Sequence, residues 1–94
     1  MSTRTITCRI IHRVEVLHRD RLALLVAVLN WAKANRLVLR HFQSCFFPVG
    51  EFNFTVQTQR LEVMEELLAS LPIHAVQDVE IDGQSQRFSY CKRD

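Results

Sequence analysis

Glycine and proline are scarce in this chain, with only two of each among 94 residues. So few breakers leave little room for flexible linkers, and no Gln-, Ser- or Pro-rich tract signals disorder, so the chain is expected to be ordered apart from its ends. The cysteines are Cys8, Cys45 and Cys91, an odd number without a C-x-x-C pair, which argues against a disulfide framework or a zinc ribbon. The longest apolar run, Leu22 to Leu29, is far shorter than the roughly 20 residues a membrane span needs. The opening MSTRTITCRI has no apolar run of the signal-peptide type. Together these absences point to a cytoplasmic protein with reduced thiols.

Catalytic patterns are missing as well. The histidines His12, His18, His41 and His74 show neither H-x-x-x-H nor H-E-x-x-H spacing, and no Gly-rich phosphate loop or G-x-S-x-G elbow occurs. Cys8 with His12, and His41 with Cys45, stand four residues apart on expected strands, so each pair would be separated by roughly 13 Å, too far for one metal ion. A cross-strand pair such as Cys8 with His41 is the one metal reading left. A packed cysteine and an edge histidine are the plainer one. Neither catalytic residues nor a metal or cofactor is expected.

What is present suits one small domain with a single core: 48% of the residues are hydrophobic and 23% charged. Charge is unevenly spread. Residues 1–41 carry eight basic against two acidic side chains (+6), residues 42–94 four against eight (−4), together the net +2. Such asymmetry can mark a contact surface, and solvated helix and strand faces explain it equally well.

Along the chain, Thr5 to Val16 alternates in polarity, with Ile6, Cys8, Ile10, His12, Val14 and Val16 on one parity, which predicts a strand. From Arg19 to Ala34 the period becomes helical: Leu22, Leu25, Leu29 and Ala32 with Val28 and Trp31 make the expected buried stripe. Asp20 is placed to cap or complement the helix N-terminus, Lys33 lies near the opposite end, and Asn35 is suited to the left-handed residue that ends the helix. Leu37 to Phe47 predicts a second strand. The PVGEF stretch, with Pro48 and Gly50, predicts a tight turn into a third strand, in which Phe52, Phe54, Val56 and Thr58 face the core. Gln59 to Leu71 predicts a second helix with the stripe Leu61, Met64, Leu67, Leu68 and Leu71 and the wet side Glu62, Glu65 and Glu66, stopped by Pro72. A last strand from His74 to Ile81 ends at the turn signal Asp82-Gly83. The tail carries Phe88 and Tyr90 at strand spacing and could add an edge strand.

The order β-α-β-β-α-β predicts an α+β, ferredoxin-like sandwich: a four-stranded antiparallel sheet in the order 4-1-3-2 with two helices on one face. The domain is expected to span 1–94, with its core over about 5–82.

HRDRLALLVAVLNWAKANRLVLRHFQS resembles the first strand-helix-strand passage of an ACT domain, in which an Asp-Arg-Pro-Gly-like turn leads into a Leu-Leu-x-x-Val-Leu helix. EFNFTVQTQRLEVMEELLASLPIHAVQDVEI is similar to the remainder, ending in a strand with Val76, Val79 and Ile81. Among ACT proteins a short stand-alone chain resembles the small regulatory subunits of acetolactate synthase. That resemblance implies a non-catalytic regulatory or interaction subunit in amino-acid biosynthesis, which dimerises by extending its sheet and contacts a catalytic subunit.

Leu22 and Ala23 fall where the common turn has Pro-Gly, and that glycine lets backbone amides approach an amino-acid carboxylate. The departure counts against an amino-acid effector but not against partner binding. The turn of His18 to Arg21 then reads first as a helix start. Arg19, Asp20 and Arg21 are the candidate ligand-binding residues, because a guanidinium matches an anion by side chain alone. A homodimer is expected, with Phe42, Phe46 and Phe47 on the pairing edge.

Two other readings are weaker. GEFNFTV superficially echoes the third-strand aromatics of an RNA-recognition motif, and Arg9, Arg13 and Arg40 are basic, but exposing Phe52 and Phe54 would bury Glu51, Asn53, Thr55 and Gln57. Nucleic acid is therefore not the expected partner. A soluble ACT-like terminal domain of a membrane protein would require the chain to be a fragment.

Overall fold

A computed structural model describes residues 3–12, 18–45 and 50–86. Strand β1 (Arg4–His12) leads to helix α1 (His18–Ala34) and strands β2 (Arg40–Cys45) and β3 (Gly50–Thr58). Helix α2 (Glu62–Ser70), a single 3₁₀ turn (Ile73–Ala75), β4 (Val76–Ile81) and the two-residue β5 (Gln84–Ser85) follow. The fold is α+β. Its antiparallel sheet has the order β2-β3-β1-β4-β5, so the expected order of the first four strands is present and the described residues form five strands rather than four.

The fifth strand follows from Asp82 and Gly83. Both have positive φ (53° and 83°), the conformation a two-residue hairpin loop requires, and they let Gln84 pair with Ile81. The Asp82 carboxylate also accepts from the Thr7 amide at 3.0 Å and pairs with Arg4 at 3.0 Å, which fastens the turn to β1. Phe88 and Tyr90 lie outside the described residues.

Alternation makes the two faces of the sheet different. Ile6, Cys8 and Ile10 of β1 and Phe52, Phe54 and Val56 of β3 are buried in one cluster with the inner faces of both helices. Arg9, Glu51, Asn53 and Glu80 stand on the open face, in register across three strands. A bulge at Gln77 places Val76 opposite His12 while Val79 stays opposite Ile10, so both valines reach the core although they are three residues apart.

Helix α1 departs from the expected stripe. Leu24, Val28, Trp31 and Ala32 are its buried residues, while Leu22 and Leu29 are 46% and 48% exposed. The helix is apolar on nearly every side, so spacing alone did not determine which face turns inward. The indole of Trp31 decides the matter with a buried bond to the Val63 carbonyl at 2.7 Å, tying α1 to the first turn of α2. In α2 the buried residues are Val63, Met64 and Leu67, with Leu71 just beyond; Leu61 is 49% exposed instead of buried.

The ends of several elements also differ from expectation. Helix α1 ends at Ala34 as expected, but the left-handed residue that closes it is Arg36 (φ 56°) rather than Asn35. The bonds from the Leu37 amide to the Ala32 carbonyl (2.8 Å) and from Arg36 to Lys33 (3.2 Å) form a Schellman closure. The helix begins at His18, so Asp20 sits within its first turn, where its charge complements the N-terminus as expected, and its carboxylate faces His74 instead of capping. Gly50 opens β3 instead of forming the turn, and His74 belongs to the 3₁₀ turn rather than to the last strand. Positions 13–17 and 46–49, which include parts of the expected first and second strands and Pro48, are outside the described residues.

Candidate interaction site

Among the described residues β2 is the edge strand of the sheet on its side, and all six of its residues are exposed. It is held to β3 through pairs Arg40–Thr55, Gln43–Asn53, Ser44–Phe52 and Cys45–Glu51, with an irregularity between Arg40 and Gln43. Two residues, His41 and Phe42, there oppose Phe54 alone, and His41 has φ 55°, so the strand is bulged.

The bulge sorts the side chains. The His41 Nδ1 lies 3.2 Å from the Thr55 hydroxyl, on the open face. The Phe42 ring turns to the helix side, stacked almost parallel on Phe54 (centroids 6.2 Å, 5°) and tilted against Phe52 (6.0 Å, 39°). Phe42 thus anchors the edge to the core while keeping 37% of its surface exposed. Beyond the bulge the outer rim of the sheet is the backbone of Gln43, Ser44 and Cys45, residues that sequence reasoning passed over because edge pairing is made by main chain. Phe46 and Phe47, expected on the same edge, lie outside the described residues.

Arg19, Asp20 and Arg21 point in three different directions. Arg19 is exposed on the outer side of α1. The Asp20 Oδ1 lies 3.4 Å from His74 Nε2. Arg21 turns inward, where its Nε donates to His12 Nε2 at 3.1 Å and its guanidinium lies 4.8 Å from the Phe52 ring centroid. The turn has a side chain directed into the core, one across to the 3₁₀ turn, and one outward.

On the open sheet face, Arg9 bridges two strands, with contacts of 2.6 Å to Glu51 and 3.3 Å to Glu80. Asn53 donates to the other Glu51 oxygen at 2.8 Å. The Asn53 amide and the Arg9 guanidinium hold the Glu51 carboxyl below the ordinary carboxylate range, and the bond to Glu51 in turn raises Arg9 further. The described aromatic side chains Trp31, Phe42, Phe52 and Phe54 pack together on the helix side, so none of them offers a stacking platform on this face.

Cys8 is buried toward the helices, where desolvation pushes its thiol up to about 12, while His41 is on the other face; the two are not brought together. Among the described residues no group of three or more His, Cys, Asp or Glu is placed to hold a metal ion. No helix among them is long and apolar enough to cross a membrane. No family model, curated protein or solved structure matches the chain.

Proposed function

We propose that the chain is a non-catalytic regulatory or protein-interaction subunit on a ferredoxin-like, ACT-type domain. It works as a homodimer whose sheets join at β2 and contacts a catalytic subunit of amino-acid biosynthesis, such as acetolactate synthase. The observation that carries this reading is the edge itself. β2 is fully exposed yet held in shape by the stacked Phe42 ring, which pins it to the core, and it is the outermost of the described strands on its side of the sheet. An exposed edge of this kind is a template for strand addition.

The polar sheet face supports a structural role over chemistry. Its charged groups, Arg9, Glu51 and Glu80, satisfy one another. Two carboxylates against one guanidinium leave this cluster net negative, and that and the inward-facing described aromatics also weigh against a nucleic-acid module. The turn of α1 supports partner binding without an amino-acid effector, since Arg21 and Asp20 already have neighbours within the domain.

Affinity capture of the chain from its native lysate, followed by assay of the captured material, tests the role. Recovery of a thiamine-dependent synthase whose activity rises with added chain is the expected result. Recovery mainly of RNA would reverse it.

A further inference from the structure

The outward side of α1 carries a second, regular apolar line. Arg19, Leu22, Val26, Leu29 and Lys33 follow one another at spacings of three, four, three and four residues, all exposed, with Leu22, Val26 and Leu29 at 46%, 52% and 48%. This is the seam by which a helix receives another helix, and its β-branched Val26 between two leucines matches the alternation of two-stranded coiled coils. Beside it runs an open groove of about 580 Å³ against α2, lined by Ala23, Ala27, Trp31 and Pro72 together with Glu66 of α2, while the seam itself carries no carboxylate.

Charge selects the occupant. Both ends of the seam are cationic, and among the described residues neither Arg19 nor Lys33 has an ion-pair partner. A second copy of α1 would set cation against cation in parallel and in antiparallel pairing alike. Residues 87–94 carry three basic side chains and one acidic one, and would be repelled as well. The exposed side of α2 presents Glu62, Glu65 and Glu66 rather than an apolar line.

The geometry points to the outer face of α1 as the docking surface for an amphipathic helix of a different protein, one with apolar residues at three-four spacing and carboxylates at both ends of its seam. This deepens the reading as an interaction subunit by naming the chemistry of its partner. Helix-on-helix packing supplies affinity through the three central side chains, and Arg19 and Lys33 fix the choice of partner.

Two fluorescently labelled synthetic helices test it, each with Val and Leu along the seam, one with Glu and the other with Lys at the terminal seam positions. Anisotropy titration of the full chain should show saturable binding of the Glu-ended peptide and binding weaker by about tenfold or more for the Lys-ended one. Val26→Asp, at an exposed position, should abolish binding with the circular dichroism spectrum unchanged, and Arg19→Glu with Lys33→Glu should reverse the preference. Equal binding of both peptides, no saturable binding, insensitivity to Val26→Asp, or displacement by a peptide of residues 87–94 would overturn it. Loss of self-association in Val26→Asp would also overturn it, by showing that a second copy covers this face. Because the substitution leaves β2 intact, failure here is distinguishable from failure of edge pairing.

Discussion

His12 and Gly50 face each other across β1 and β3, and the buried imidazole fills the space that any side chain at residue 50 would need. A Cβ there would fall onto the His12 ring, which is itself held between Phe52 (centroids 5.7 Å) and the bond from Arg21. The glycine is required for close approach rather than for a turn.

Gly50→Ala should therefore destabilise the domain by about 1–3 kcal/mol, the usual cost of overpacking a filled core. Urea denaturation measures it, and combining the change with His12→Ala should cost less than the sum of the two single changes. An unchanged midpoint in Gly50→Ala would contradict the contact.

Cys8 should be inert in the folded state. With Cys45 and Cys91 replaced by Ser, the remaining thiol should react with a disulfide reagent at about pH 8 only as fast as the domain unfolds, since the thiolate is the reactive form. A thiol raised from 9.0 to about 12 in the fold makes a pH-dependent contribution to stability. It is fully present below about 9 and is lost as pH rises toward 12, because the unfolded chain releases the proton first. Prompt labelling of the folded protein would contradict the burial.

Glu51 acts in the opposite direction. Its carboxyl is held below its ordinary 4.5 by Asn53 and Arg9, so its contribution is present above that value and is lost as pH falls through the folded-state value. Denaturation midpoints measured from neutral to acid pH should fall less steeply in Glu51→Gln than in the parent. Identical acid limbs would remove the Arg9–Glu51–Asn53 cluster from the stability of the sheet.

The alternation of β1 and β3 was fully legible, because a strand with one wet face writes its burial in every second residue. Helix α1 was legible as a helix but not in its facing: two apolar lines, Leu24–Val28–Trp31 and Leu22–Val26–Leu29, share one sequence, and the Trp31–Val63 bond that chooses between them is tertiary. The bulge at His41 left no sequence signal, since a histidine with positive φ has none, and it is the bulge that turns Phe42 inward. The place of β2 at the edge was legible in the β-α-β-β-α-β order, whereas the rim is main chain and carries no side-chain signal. The Asp82-Gly83 hairpin was visible as a turn, but β5 needed only two residues to follow it and carried no pattern of its own.

Hydrogen exchange at the backbone amides of Gln43, Ser44 and Cys45, followed as the protein is diluted from micromolar to nanomolar concentration, tests β2 pairing most directly. Pairing between copies predicts that the outward-facing amides of this segment are protected when concentrated and lose protection on dilution, in step with a fall from dimer to single-chain mass. Exchange at these amides that is fast and independent of concentration, with a single-chain mass throughout, would contradict it.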